Sequence, residues 1–266
     1  MQIFDGHHHA QLLDEKIADF LKTHSIDKSL VIVQVGDDLS STKYVNLKKK
    51  YCEKFGIPVE IYNINSSNSD EEIYKQVEDI FNSSTIGGGI IQLPLPRESL
   101  YGLLNLIPVS KDIDVISSKG VAQFYAGDLS RLSPVVRATQ YFMKQCHIDS
   151  NIDATLIGEG VLVGKPLSYF LAKTGHKVQI IQNYTTGTPL SCHLLVLSAG
   201  VPNLVHGEDI TPQANVIDFG SSVVDSKTVG DLDLNSNLNH LNFVSPSPGG
   251  MGPLVIRFLV MNFLGL

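Results

Sequence analysis

The stretch Asp153-Ala154-Thr155-Leu156-Ile157-Gly158-Glu159-Gly160-Val161-Leu162-Val163-Gly164 decides the fold. Its first half is a short apolar run ending at glycine, which reads as a buried strand. Its second half is a glycine-rich turn leading into a helical segment from Pro166 to Thr174. Strand, glycine turn and helix in that order form the entry to a parallel α/β unit suited to dinucleotides. Small residues let the backbone approach a pyrophosphate, and the helix N-terminus offers free N–H groups and the positive end of its dipole. The spacing G-x-G-x-x-x-G is one residue longer than the common fingerprint, so a plain strand–turn–helix with close glycine packing is the competing reading. Gly158, Glu159, Gly160, Val163 and Gly164 are the candidate cofactor contacts. The acid that grips an adenosine ribose should end the next strand, Lys177 to Gln182, but Gln182-Asn183-Tyr184 there contains no carboxylate. Asn183, and Gly200 in the loop after the strand Leu194 to Leu197, complete the candidate set.

Outward from this stretch the same alternation continues, the pattern of parallel α/β architecture. Upstream, Ala10 to Lys22 has helical periodicity, and Leu30 to Val35 is a β-branched run closed by Gly36. A helix over Ser41 to Phe55 ends at Gly56 and Pro58, and strand Val59 to Ile64 and helix Asp70 to Phe81 follow. Gly88 to Leu93 makes a third strand, stopped by Pro94 and Pro96. A loop-rich passage from Lys111 to Pro134 precedes a helix near Thr139 to Cys146. Downstream, Leu194 to Leu197 and Asn215 to Phe219 are further strands. The expectation is two α/β domains: residues 1–118, and a Rossmann-like domain over 119–252 with a mainly parallel sheet. A terminal helix over 253–266 is expected to pack back on the first.

A chain of 266 residues accommodates about two domains of ~150 residues and a full core without staples. The net charge of −7 argues against a nucleic-acid surface. The apolar C-terminus, interrupted by Arg257, is too short to span a bilayer, so no membrane is expected. Cys52, Cys146 and Cys192 are odd in number and widely spaced, which fits a reducing compartment, the cytosol, and neither a disulfide framework nor a zinc site. No signal peptide is evident at the N-terminus. His7-His8-His9 sits in the first helical stretch with its side chains on different faces, so no metal role is assigned.

Tyr44 and Lys48 stand four apart on one helix face, where their side chains can converge. A desolvated lysine can lose its proton near neutral pH, which makes this an acid/base candidate; surface Tyr–Lys neighbours are the bland alternative. Gln92 ends a buried apolar strand and must find a partner or face a pocket. Asp112 and Asp114 have an N-cap or turn role as the alternative to a binding one. Ser247-Pro248-Gly249-Gly250-Met251-Gly252-Pro253 is a rigid loop that lets backbone approach a ligand or simply turns.

Together these segments resemble one family. Val35-Gly36, Ser41, Tyr44-Val45, Lys48 and Gly56-Ile57 are similar to its first motif, Gln92-Leu93-Pro94-Leu95-Pro96 to its second, and Pro108 with Lys111-Asp112-Ile113-Asp114 to its third. Val163-Gly164-Lys165-Pro166, Val216 to Gly220, Gly230 to Asp233 and Pro248 to Pro253 follow in the family's order. On these motifs the chain resembles the bifunctional methylenetetrahydrofolate dehydrogenase/methenyltetrahydrofolate cyclohydrolase family of one-carbon metabolism. The resemblance implies a dimeric two-domain enzyme with folate in the cleft between domains. It implies oxidation of 5,10-methylenetetrahydrofolate with NADP or NAD, then hydrolysis to 10-formyltetrahydrofolate. By resemblance Lys48 is the catalytic lysine, Gln92 keeps it poised, Tyr44 packs on the folate and Asp114 grips the pterin edge. Pro248, Gly249, Gly250 and Gly252 close over the same pocket.

Departures gather on the dinucleotide side. Where the family commonly has G-R-S, this chain has Gly158-Glu159-Gly160, so an arginine that meets the NADP 2′-phosphate is replaced by an acid. Its H-S-x-T segment is Gln182-Asn183-Tyr184-Thr185, its P-C-T-P-x-G loop is Pro134-Val135-Val136-Arg137-Ala138-Thr139, and the glycine after the second aspartate is Val115. NAD and NADP therefore stay open. So do two alternatives: a cyclohydrolase with weak or lost hydride transfer, and a non-catalytic folate- or nucleotide-binding relative.

Overall fold

The computed structural model describes residues 1–266, apart from the side chain of Ser40. In chain order the elements are β1 (Gln2–Ile3), α1 (Gly6–Leu21), β2 (Ser29–Val35), α2 (Leu39–Lys54), β3 (Val59–Ile64), α3 (Asp70–Asn82), β4 (Ile86–Ile91), α4 (Ser118–Tyr125) and α5 (Pro134–Gln145). Then come β5 (Asp153–Ile157), α6 (Gly164–Lys173), β6 (Lys177–Ile181), β7 (Leu194–Leu197), β8 (Asn215–Asp218), β9 (Ser222–Val224), β10 (Lys227–Val229), β11 (Phe243–Ser245) and α7 (Met251–Leu264).

The chain divides into two compact units. One holds Asp14–Pro134 and Leu259–Leu266; the other holds Met1–Leu13 and Val135–Phe258. The first is built on a parallel three-stranded sheet in the order β3-β2-β4. Its central strand is buried on both faces, with Leu30, Val31, Ile32 and Val33 all at 0% exposure, which is why that run is continuously apolar rather than alternating. Helix α3 starts at a capping box: Ser69 Oγ accepts from Glu72 N, and the Glu72 carboxylate accepts from Ser69 N. It buries Ile73, Val77, Ile80 and Phe81, three to four residues apart, against the sheet.

The second unit carries a six-stranded sheet in the order β1-β11-β8-β7-β5-β6, every neighbouring pair parallel. β8 and β7 sit at its centre, and Leu194 to Leu197 are all at 0% exposure. Strand order reverses around β5: β6 lies on one side, and β7 and β8 on the other. That reversal is the switch point at which α/β sheets hold ligands beyond the C-terminal strand ends.

Several boundaries differ from the sequence-based expectation, each for a local reason. Helix α1 begins at Gly6 because the Asp5 carboxylate accepts from His7 N and His8 N and caps it. The passage Lys111–Pro134 holds a helix, α4, capped by Ser117 through Gly120 N. α5 starts five residues early, at Pro134, whose missing N–H costs nothing in a first turn. β1, β9, β10 and β11 are two or three residues long, too short for a periodicity to register.

The expected boundary near 118–120 falls at the start of α4, whereas the unit extends to Pro134. The reason is Asp112, whose carboxylate accepts from Ile116 N and Ser117 N and ties the chain leading into α4 to what precedes it. Residues Met1–Leu13 depart from the expected span 1–118 because β1 pairs with β11, Gln2 opposite Phe243. Leu259–Leu266 joins the three-stranded unit, where Asn262 Nδ2 donates to Ile113 O and Leu132 O at 2.8 and 3.0 Å.

Candidate active site

Helix α2 carries the first candidate pair. Asp38 caps it, its carboxylate accepting from Ser41 N at 2.7 Å. Ser41, Val45, Tyr51 and Cys52 form the buried stripe of this helix, and Lys48 falls within that stripe at helical spacing. Its stem is therefore drawn inward, and the residue is half-buried. Tyr44, one turn earlier, lies at the edge of the stripe and keeps 38% exposure. An exposed aromatic beside a half-buried lysine offers an apolar face next to an amine.

The end of β4 supplies the partner. Gln92 N donates to Val33 O, extending the ladder by one residue past the strand. Its side chain turns to Lys48: Lys48 Nζ donates to Gln92 Oε1 at 2.9 Å. Gln92 Nε2 donates to Leu93 O at 2.7 Å, so the amide is oriented with its oxygen toward the amine. Leu93 O also accepts from Ser41 Oγ at 3.5 Å. The amine is thus met by a neutral acceptor whose amide is fixed at its Nε2 end by Leu93 O, which orients the amine without adding a charge.

Asp112 and Asp114 separate into two roles. Asp112 is buried, and both of its oxygens serve the turn described above. Asp114 is half-buried and acts on Lys48 through its charge. Burial pushes the Lys48 amine below the ordinary lysine range, and the Asp114 charge partly restores it. Burial likewise pushes the Asp114 carboxyl up, while the Lys48 charge pulls it down. Lys111, in the same segment, is structural: its Nζ donates to Phe81 O and Ser83 O at the C-terminus of α3. Val115 adopts a left-handed backbone, φ 56°, where a β-branched residue is strained.

In the six-stranded unit the glycine turn has the form a dinucleotide needs. Gly158 takes φ 97°, and a Cβ there would lie 2.5 Å from Ser198 O. A Cβ on Gly164 would lie 2.1 Å from Gly158 O, so the start of α6 packs directly on the turn. Space is open beside Gly160 and Gly200. Val163 precedes α6 without a side-chain cap; Lys165 N donates to Gly160 O and Pro166 has no N–H, so the first turn offers a ligand the N–H of Gly164. A tight turn, a helix start without a side-chain cap and open space beside small residues fit a pyrophosphate.

Glu159 is half-buried beside this turn and accepts a short hydrogen bond from Gln182 Nε2. Gln182 and Asn183 are exposed. The N–H of Gly200 is already used: Ala199, Gly200 and Val201 all donate to the Asp231 carboxylate at 2.6 to 3.1 Å. Sequence reasoning placed Asp231 and Asp218 in two family motifs but gave neither a role; Asp218 accepts from Gly220 N and Leu232 N. A signal was available in both: Asp218 ends an apolar strand two residues before Gly220, and Asp231 directly follows Gly230. Burial pushes the Asp218 carboxyl up to about 7 against the pull of its N–H donors.

The loop Pro248 to Gly252 also belongs to this unit. Gly6 N donates to Gly249 O at 3.0 Å and Gly250 N to Pro246 O at 2.8 Å, while Ser247 Oγ donates to Gly220 O. Pro248 and Gly252 are exposed, Gly250 is buried, and Gly252 lies in the first turn of α7. Among the described residues no three His, Cys, Asp or Glu side chains gather as a metal site, and no helix is long and apolar enough to cross a membrane.

Comparison with known proteins matches both units. The tetrahydrofolate dehydrogenase/cyclohydrolase catalytic domain matches residues 4–114, and the NAD(P)-binding domain of the same family matches residues 135–266. The bifunctional protein FolD of Wolbachia sp. subsp. Drosophila simulans (strain wRi) is 31% identical over 94% of this chain and 88% of the relative. That of Campylobacter jejuni (strain RM1221) is 30% identical over 98% of this chain and 96% of the relative. The crystal structure of the bifunctional enzyme FolD, methylenetetrahydrofolate dehydrogenase/cyclohydrolase, from Campylobacter jejuni superposes with a TM-score of 0.89 at 28% identity, covering 100% of this chain and 98% of that one.

Proposed function

Because this chain belongs to the tetrahydrofolate dehydrogenase/cyclohydrolase family, we propose that it interconverts one-carbon tetrahydrofolates with Lys48 as the reacting amine. The activity is methylenetetrahydrofolate dehydrogenase and methenyltetrahydrofolate cyclohydrolase: oxidation of 5,10-methylenetetrahydrofolate to the methenyl form, then hydrolysis to 10-formyltetrahydrofolate. The observation that carries the residue assignment is the bond from Lys48 Nζ to a neutral Gln92 whose amide is fixed by Leu93 O.

The three-stranded unit contributes the folate chemistry. Tyr44 gives its ring to the pterin, and Asp114 accepts from the pterin edge. Burial favours the neutral Lys48 amine, which suits a site where a cationic methenyl carbon must form. In hydrolysis water adds to that carbon and its proton passes to Lys48 Nζ. The proton then moves to the departing ring nitrogen as the carbon–nitrogen bond breaks, and the hydroxyl on the carbon releases its own proton to solvent, leaving the neutral formyl group on the other nitrogen. In the six-stranded unit, Gly158, Gly160 and Gly164 admit a pyrophosphate to the N-terminus of α6, with Glu159, Val163, Asn183 and Gly200 around it. Bound NAD or NADP supplies the hydride acceptor. The exposed Pro248 and Gly252 flank a backbone held by Gly6, which gives a folate a firm surface to meet. A cytosolic homodimer belongs to the same reading; three buried free cysteines support the reducing compartment, and light scattering tests the dimer.

The decisive experiment follows methenyltetrahydrofolate formation and decay with NAD, NADP or neither. Nucleotide-dependent formation followed by decay is expected. Decay without any such formation would instead favour a cyclohydrolase that has lost hydride transfer, a reading motivated by the acid in the glycine turn. Neither formation nor decay would sink the assignment.

A further inference from the structure

We propose that Glu159, held by Gln182, is the nucleotide-selecting element of this chain, accepting the adenosine ribose 2′-hydroxyl of NAD and repelling the 2′-phosphate of NADP. This rests on the reading that the six-stranded unit binds a nicotinamide dinucleotide. The sheet supplies the placement. β5 and β6 are parallel neighbours with Ile157 opposite Ile181, so the residues just beyond them emerge side by side at the C-terminal strand ends. Gly158 N continues the pairing by donating to Ile181 O at 3.1 Å. In dinucleotide folds the ribose is held at the end of the second strand, by an acid that belongs to that strand. Here that strand end carries neutral Gln182, and the acid arrives from the turn after the first strand. Gln182 Nε2 donates to Glu159 Oε2, which fixes the carboxylate against the end of β6, where the ribose acid is needed. The other oxygen, Oε1, is the acceptor offered to the hydroxyl.

Charge points the same way. Neither Gly158 to Gly164 nor Gln182 to Thr188, the segments leaving the two strand ends, contains an Arg or a Lys. Lys177 lies at the opposite end of β6, where it pairs with Asp153. Lys165 follows the last glycine of the turn and is exposed in the first turn of α6. A 2′-phosphate brings between one and two negative charges at neutral pH, and beside Glu159 it would meet a like charge. A ribose hydroxyl instead donates a charge-assisted hydrogen bond to the same group. Gln182 acts through Glu159 and is a positioning residue.

The test titrates the full-length protein with NAD, NADP, AMP and adenosine 2′,5′-bisphosphate by calorimetry, and reads kcat and KM for both dinucleotides. The expected result is preference for NAD over NADP, and for AMP over the bisphosphate, by about tenfold or more. Glu159→Gln should shrink both ratios to within about threefold, and Glu159→Arg should invert them. Gln182→Ala should raise KM for NAD with kcat unchanged, and Gln182→Asn, which keeps a donor, should recover part of it. Circular dichroism verifies that each variant is folded. Equal or tighter binding of the 2′-phosphorylated ligands by the unaltered protein overturns the proposal and leaves the dinucleotide reading intact, as does a ratio indifferent to Glu159→Gln. A preference for NADP that disappears in Lys165→Ala likewise overturns it, by assigning selection to that lysine. Absence of binding by all four ligands removes the dinucleotide reading together with the proposal.

Discussion

Lys48 and Glu159 each receive or offer a single hydrogen bond to a glutamine at a strand end, yet they are put to opposite uses. Lys48 reaches Gln92 from within the buried stripe of α2, and burial drives its amine toward the neutral form. Glu159 meets an exposed Gln182 at the lip of a glycine turn. One glutamine orients a group whose proposed work requires shedding charge; the other aims a group whose proposed work is to present it. The two pairings therefore differ in their surroundings: burial acts on the amine at one, and an exposed glutamine holds the carboxylate at the other.

The largest effect expected is on the Lys48 side. Lys48→Met should lower methenyltetrahydrofolate hydrolysis by roughly 10²- to 10⁴-fold, measured as absorbance decay, because it removes the proposed proton acceptor. Hydrolysis near that of the unaltered protein would break the comparison at its first member. On the other side, Asp231→Ala strips the acceptor from three backbone N–H groups around Gly200. A loss of about 3 kcal/mol in urea unfolding is expected, since desolvated donors left unmet cost about 1–3 kcal/mol each and water will reach some of them.

Gln92 sharpens the contrast between a neutral and a charged neighbour. Gln92→Leu should cost hydrolysis about tenfold through lost orientation. Gln92→Glu should do something different, because an added negative charge favours the protonated amine and raises its pKa. With the Lys48 pKa lowered in the fold, the unaltered protein's hydrolysis should rise with pH and level off below the ordinary lysine range. In Gln92→Glu the rise should move to higher pH. A pH profile identical in the two proteins would mean that Lys48 is not the titrating group. The smallest expected effect concerns Val115, strained at φ 56° beside Asp114. Val115→Gly should raise stability by about 1 kcal/mol, the relieved strain less the entropy of a freer unfolded chain, read from the urea midpoint.

Legibility followed the range of the interactions. Lys48 and Tyr44 were readable because helical spacing is local, and Gln92 because a polar residue ending an apolar strand must find a partner. The glycine turn was readable from its position between strand and helix. Asp112 illustrates what spacing alone leaves open: it stands two residues from Asp114, and only the turn to Ser117 assigns it to structure. Asp231 is legible only as part of the Gly230–Asp233 motif and without a role, because its partners, Ala199 to Val201, lie 30 to 32 positions away. The boundary after Pro134 was hidden by a helix of eight residues whose cap depends on an equally unadvertised serine.

By itself the sequence determined the parallel α/β character of both units, the helix that carries Lys48, and the turn that carries Glu159. It could do so because periodicity, glycine placement and capping act over a few residues. Only the tertiary structure decided what those groups face: that Lys48 is met by a neutral amide, that Asp114 rather than Asp112 acts on it, and that Glu159 is held at the end of the neighbouring strand. Strand order and register bring together side chains that are 23 to 44 positions apart, and no local rule encodes those distances.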